Sequence, residues 1–255
     1  MLAVENQRLL GPGDPLPVEV MHADSAAGVL LVCEHAGRAV PAGLDLGVDA
    51  AVLASHRGWD IGAAAVARRL AVALGAPLVL QRYSRLVLDA NRPPGSPASI
   101  PETSHGAAIP GNRGLAPRQR AARAAEILAP MDRAIEEALA RHPRRATFSV
   151  HSYTPELDGV ARPWHAGMLT RRSPETAAAL IASLRRQDPG LVLAMNEPYR
   201  IEDDGDWFVP RHAEPSGLPH CLIEIRNDEI AGDGGAARWA GLLATAITDL
   251  LETLP

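Results

Sequence analysis

The 255-residue sequence predicts an α/β fold, with a mainly parallel or mixed central sheet and helices on both faces. Three observations carry that expectation. Residues 30–35, 148–151 and 221–225 are short runs dominated by apolar residues that end in, or carry, a histidine or a glutamate. Strands buried on both faces of an α/β sheet read this way. Between such runs lie longer segments with helical spacing, and strands alternating with helices favour parallel pairing. Finally, 47% of residues are hydrophobic but only 4% are aromatic. With abundant alanine, that balance suits close-packed helices better than a β-sandwich.

Taken in order, residues 5–17 form a lead-in with glycine and proline, and residues 18–21 read as a short edge strand. Residues 30–33 are the first buried strand. Residues 41–54 read as loop and short helix, and a clean helix is expected from Ile61 to Leu74. Its apolar positions Ile61, Ala65, Leu70, Ala73 and Leu74 fall near one face. Gly75 stands where a glycine ends a helix, and Asp60 stands where an N-cap belongs. Residues 76–81 and 86–89 read as two strands.

From Asn91 to Gly114 the chain carries five prolines among glycines and serines. A stretch of that length inside a compact domain reads as a functional loop or lid. The next helix opens at Pro117 and runs to about Arg141, with a kink expected at Pro130. A strand at 147–151, a polar loop at 153–163 and a strand at 166–170 follow. Ser173-Pro174 then opens a helix to about Gln187. Strands at 191–195 and 221–225 and a helix over 236–251 complete the pattern. With no linker and no repeat, residues 1–255 are expected to form one domain.

Charge and composition exclude several function classes. The formal net charge of -5 gives no reason to expect nucleic acid or an anionic membrane as partner. No apolar run approaches the roughly 18 residues of a membrane span. All 25 basic residues are arginine, which reads as a codon-composition effect. Residues 1–17 lack the pattern of a secretory signal. Cys33 and Cys221 fall in predicted buried strands, as reduced thiols would, so a cytoplasmic protein is expected.

The chemistry-bearing residues gather at predicted strand ends, where open α/β sheets bind ligands. Catalytic zinc takes three protein ligands from histidine and acidic residues. His35, Asp60 and His151 are the best three, and Glu224 is a natural general base. No two of them form a short metal motif, and His56, His105, His165, His212 and His220 compete. Glu34 adjoins His35. A second signal is the segment from Arg85 to Arg92, in which Arg85, Asn91 and Arg92 flank Asp89. Arginine's planar fork fits a substrate carboxylate, yet Asp89 could equally take both arginines into internal ion pairs.

The segment Ser84-Arg85-Leu86-Val87-Leu88-Asp89-Ala90-Asn91-Arg92 resembles the S-R-x-V-x-D-x-N-R segment of the N-formylglutamate amidohydrolase family. His35-Ala36-Gly37, His56 with Asp60-Ile61-Gly62, His151-Ser152-Tyr153 and Glu224-Ile225-Arg226 follow that family's order. The resemblance covers the chain from about Val29 to Asp228. It implies a zinc carboxypeptidase-like fold, shared with aspartoacylases and cell-wall amidases. It also implies His35, Asp60 and His151 as zinc ligands and Glu224 as base. Asn91 and Arg92 would grip the substrate carboxylate, with Arg85 and Arg226 as further substrate-binding candidates. One departure stands out: Cys33-Glu34-His35-Ala36-Gly37 occupies the place of the family's S-P-H-S-G.

The expected protein is therefore a zinc-dependent amidohydrolase, a deformylase of a small N-acyl amino acid such as N-formylglutamate. A metallopeptidase or cell-wall-type amidase on the same fold is the alternative enzyme. A non-catalytic ligand-binding relative is a second alternative. A thiol hydrolase using Cys33 and His35 is a third, opposed by the charge of Glu34.

Overall fold

The computed structural model describes residues 8–254. Residues 1–7 and 255, which include the start of the lead-in at Glu5, lie outside the described residues. Strands β1 (Val18–Met21), β2 (Val29–Cys33), β3 (Leu78–Gln81), β4 (Ala146–Tyr153), β5 (Ala166–Leu169), β6 (Leu193–Met195) and β7 (His220–Arg226) form one sheet. Its order is β1-β3-β2-β4-β7-β5-β6. The central four strands, β3, β2, β4 and β7, run parallel. β1 is antiparallel to β3, and β5 is antiparallel to β7 and parallel to β6. The sheet is thus parallel at its centre and mixed toward its edges.

Alternation along each strand distributes side chains between two cores. Val29, Leu31 and Cys33 of β2, Phe148 and Val150 of β4, and Ile223 and Ile225 of β7 enter one core. That core is closed by α1 (Ala63–Leu74), α3 (Pro174–Gln187) and α4 (Asp233–Thr253). Leu30 and Val32 face the other way, against Met131, Ile135 and Ala138 of α2 (Ala129–Arg141). The same alternation sends Ser149 and His151 of β4, and Glu224 of β7, to the α2 side of the sheet. Glu224 lies in register with His151.

Three local expectations are corrected. Residues 86–89 are not a strand. The Ser84 carbonyl accepts from the amide of Val87, and the Ser84 hydroxyl accepts from the amide of Leu86. This serine turn competes with extended pairing, and Leu86, Val87 and Leu88 fill the second core instead. The helix expected from Pro117 to Arg141 runs over those residues, but it departs from α-geometry ahead of the kink expected at Pro130. It widens into a π-turn over Ala124–Leu128, where the amide of Ala129 bonds the carbonyl of Ala124. Pro130, which has no amide hydrogen to donate, follows directly. Asp60 does not cap α1; the cap is Gly62, and the Asp60 carboxylate turns to two histidines.

Gly62 and Gly75 bracket α1, both left-handed at φ +82 and +57. A Cβ on Gly75 would meet nothing within 4 Å, whereas one on Gly62 would lie 2.3 Å from the backbone oxygen of Ile230. Gly75→Ala should therefore cost only about 1–2 kcal/mol, the left-handed penalty for a residue with a Cβ. Gly62→Ala should cost at least about 3 kcal/mol, since backbone must also move. Urea denaturation of the two variants checks the order; equal midpoints would contradict the close packing at Gly62.

Candidate active site

The carboxyl ends of β2, β4 and β7 and the loop before α1 converge on one buried cluster. His35 follows β2 by two residues, and its carbonyl accepts from the amide of Asp60, which fixes that loop against the strand end. His151 and Glu224 project side by side from neighbouring parallel strands. His35, Asp60 and His151 are all buried, and each offers one ligand atom within 4.8 Å of the others. The two imidazoles meet edge to face, with centroids 4.8 Å apart.

The hydrogen bonds sort the ring nitrogens into two sets. Nδ1 of His35 and Nδ1 of His151 both face Asp60 Oδ2, at 3.3 and 2.9 Å. Nε2 of His35 points outward to Asp89 Oδ1 at 2.7 Å, and Nε2 of His151 to Glu34 Oε2 at 3.0 Å. Asp89 is held in turn by Arg85, whose Nε and Nη2 donate to Oδ2 at 3.0 and 2.6 Å. Arg85 Nη1 reaches Asp60 Oδ1 at 3.3 Å. The Ser149 hydroxyl donates to the same Glu34 oxygen as His151.

Burial and charge pull the titrations apart. Burial pushes Glu224 up to about 7, because the attraction of His151 does not offset desolvation and the charge of Asp60. Burial disfavours the charged form of His151, but Glu34 and Asp60 outweigh it and hold the ring well above its ordinary value. Burial likewise opposes ionised Asp89, yet Arg85 and His35 keep its carboxyl well below the usual range.

A cavity of about 570 Å³ opens beside the cluster, lined by His56, Arg85, Asp89, Arg92, Arg120 and residues 97–98 and 100–105 of the proline-rich loop. That loop is structured, with a small hairpin of Thr103–Ser104 and Ala107–Ala108. Asn112 pins it by donating to the carbonyls of Leu86 and Pro101.

The family model described as N-formylglutamate amidohydrolase matches residues 27–231. The chain belongs to the N-formylglutamate amidohydrolase family. A solved gene product of Agrobacterium tumefaciens is 38% identical, with a TM-score of 0.91 over 96% of this chain and 99% of that one. An N-formylglutamate amidohydrolase of Ralstonia eutropha shares the fold at 18% identity, with a TM-score of 0.70 over 93% of this chain and 98% of that one. No curated protein matches the chain. Membership of the N-formylglutamate amidohydrolase family makes this a hydrolase of amide bonds acting on a small molecule. Among the described residues, no helix is long and apolar enough to cross a membrane.

The predicted site residues fall into two groups. His35, Asp60, His151 and Glu224 come together, although 25 to 91 residues separate the hydrogen-bonded members of this set. Arg85 stands behind them on Asp89, so the ion pair and the site are the same structure. Arg92 lies at the cavity wall, its Nε 3.9 Å from Asp89. Asn91 and Arg226 are placed otherwise. Asn91 Oδ1 accepts from the amides of Trp207 and Phe208, and its Nδ2 donates to Asp206, which fastens the loop before residue 209. Arg226 pairs with Asp228 and Glu229 and does not line the cavity.

Sequence reasoning missed Arg162. It is buried, lies 5.0 Å from the centre of the Tyr199 ring and 5.8 Å from that of Tyr153, and donates to the Tyr199 hydroxyl at 2.9 Å. Both phenols feel the charge of Glu224. An arginine in a polar loop carries no local mark of such a place.

The donor set fits a divalent metal. Two imidazole nitrogens and a carboxylate oxygen are the ligand types of catalytic zinc sites, and each ring's second nitrogen rests on a carboxylate. Four carboxylates, Glu34, Asp60, Asp89 and Glu224, are buried together, and Arg85 is the arginine bonded among them. Oε1 of Glu34 and Oε2 of Glu224 have no hydrogen-bond partner among the described residues. Added positive charge at the three donors would offset that excess.

Proposed function

We propose that this protein is a metal-dependent amidohydrolase that cleaves the linear amide of a small N-acyl amino acid such as N-formylglutamate. The observation that carries this reading is the inward pair of Nδ1 atoms with Asp60 between them and the unpartnered Oε2 of Glu224 alongside. His35, Asp60 and His151 would hold the ion, and zinc suits their chemistry. Bound there, zinc supplies Lewis acidity and a nucleophile at neutral pH.

The protein's own residues have separable tasks. Glu224 Oε2, free of other partners, accepts a proton from the attacking water and returns it to the leaving amine nitrogen. Arg92, at the cavity wall and only loosely tied to Asp89, pairs with the substrate carboxylate. Arg85, which also lines the cavity, keeps Asp89 and Asp60 in place. Cys33 takes no part: burial pushes its thiol well above the ordinary value, with Glu34 and Asp60 adding to the rise.

Metal content tests the ligand set. Wild type is expected to carry about one zinc per chain, and His35→Ala and His151→Ala to lose it along with activity. Full occupancy in both variants would remove the assignment.

The pH profile tests the base. A general base works ionised, so kcat/KM should fall as pH drops through the Glu224 pKa, at or below about 7 because a nearby cation lowers it. Glu224→Gln should keep the metal, lose about 10²–10⁴-fold in kcat and lose that acid limb. A variant of near wild-type rate would assign the base elsewhere.

Arg92→Ala tests substrate class. On a free-acid substrate kcat/KM should fall by about 2–5 kcal/mol of transition-state binding, while the matched amide should scarcely change. Equal losses on both would give Arg92 a structural role.

A further inference from the structure

His35 and His151 are alike at Nδ1 and differ in what stands behind Nε2. Behind His35 is Asp89, fixed by two bonds from Arg85. Behind His151 is Glu34, 2% exposed, from the stretch that departs from the family's first motif. Its place follows from the sheet. Val32 pairs with Ser149 across β2 and β4, and two residues further along the same face bring Glu34 beside His151. One Glu34 oxygen receives both the His151 Nε2–H and the Ser149 hydroxyl. The other oxygen, buried, has no partner among the described residues.

We propose that Glu34 is a positioning residue for His151: by accepting the Nε2–H it fixes the ring and its tautomer so that the Nδ1 lone pair points at the shared ligand position beside Asp60. This rests on the metal reading given above. The reason lies in imidazole chemistry. A neutral ring carries one N–H, so an acceptor held at Nε2 leaves Nδ1 as the lone-pair donor. Without that acceptor the proton can move to Nδ1, which then donates to Asp60 and cannot bind a cation. A carboxylate at Nε2 also makes the ring a stronger donor at Nδ1. Ser149 matters because it stops the Glu34 carboxylate from turning. The site is thus held by two carboxylate–imidazole pairs, one built from the segment around Asp89 and one from β2 and β4.

The test is the zinc dissociation constant of the full chain, measured by competition with a chromogenic chelator. Wild type, Glu34→Gln, Glu34→Ala and Ser149→Ala are compared, with melting temperature, kcat and KM for N-formylglutamate alongside. Glu34→Ala should weaken zinc about 10–100-fold, the usual effect of removing such a partner. Glu34→Gln keeps an acceptor but not the charge and should fall between, and Ser149→Ala should weaken zinc less than Glu34→Ala does. At saturating zinc the loss should appear in kcat with KM little changed. A purely structural glutamate would lower the melting temperature and leave the zinc constant where it was. A folded Glu34→Ala binding zinc within twofold of wild type overturns the proposal. If that variant does not fold, a wild-type constant in Glu34→Gln overturns it. Wild type that binds no zinc overturns this and the metal reading together, whereas tight wild-type binding with unaffected variants overturns this alone.

Discussion

The bond on which the rest of the site depends is the one from the Asp60 carboxylate to the two histidines. Oδ2 of Asp60 faces both Nδ1 atoms, and the amide of Ser152 also donates to it. A carboxylate in that position, 3% exposed, is costly to bury unless positive charge surrounds it. The surroundings answer that cost in layers. Arg85 supplies one cation to Asp60 and Asp89 together, and the imidazoles connect Asp60 to Asp89 and Glu34. Each buried charge is therefore a condition for the next, and the network forms as a unit.

The sheet makes this crowding possible. Parallel strands deliver their carboxyl ends to one side, so residues far apart in sequence meet without long loops. β4 and β7 contribute His151 and Glu224 in register, while β2 brings His35 and the loop before α1 brings Asp60. The opposite core is apolar, which keeps Cys33 out of the chemistry although it lies only two residues from His35. The cavity wall comes from the proline-rich segment, whose anchoring through Asn112 and Arg123 ties it to residues 86–87.

Much of the fold could be read in the chain because burial and periodicity are local signals. Unalternating runs at β2 and β3 and the glycine after α1 leave direct marks. The failures share one cause. Leu86, Val87 and Leu88 are as apolar as a strand requires, but the Ser84 hydroxyl and carbonyl capture the following amides. Asp60 looks like a helix cap because acidic residues are common there, and partners distant in the chain, His35, His151, Arg85 and the Ser152 amide, redirect it. The ligand candidates were legible as residue types at strand ends, where His35, Asp60 and His151 stood against five competing histidines, and the family resemblance pointed to the same three.

The sequence by itself determined the α/β class, the strands with a histidine or glutamate near their carboxyl ends, and the arginine-rich segment with Asp89 at its centre. Those features depend on neighbours in the chain, and neighbours are what a sequence displays. Tertiary structure alone decided which nitrogen each histidine turns inward, that Arg85 braces Asp89 and Asp60, that Asn91 fastens a loop, and that Glu34 stands behind His151. These are choices among partners separated by up to 117 residues, made by strand register and by the need to compensate each buried charge.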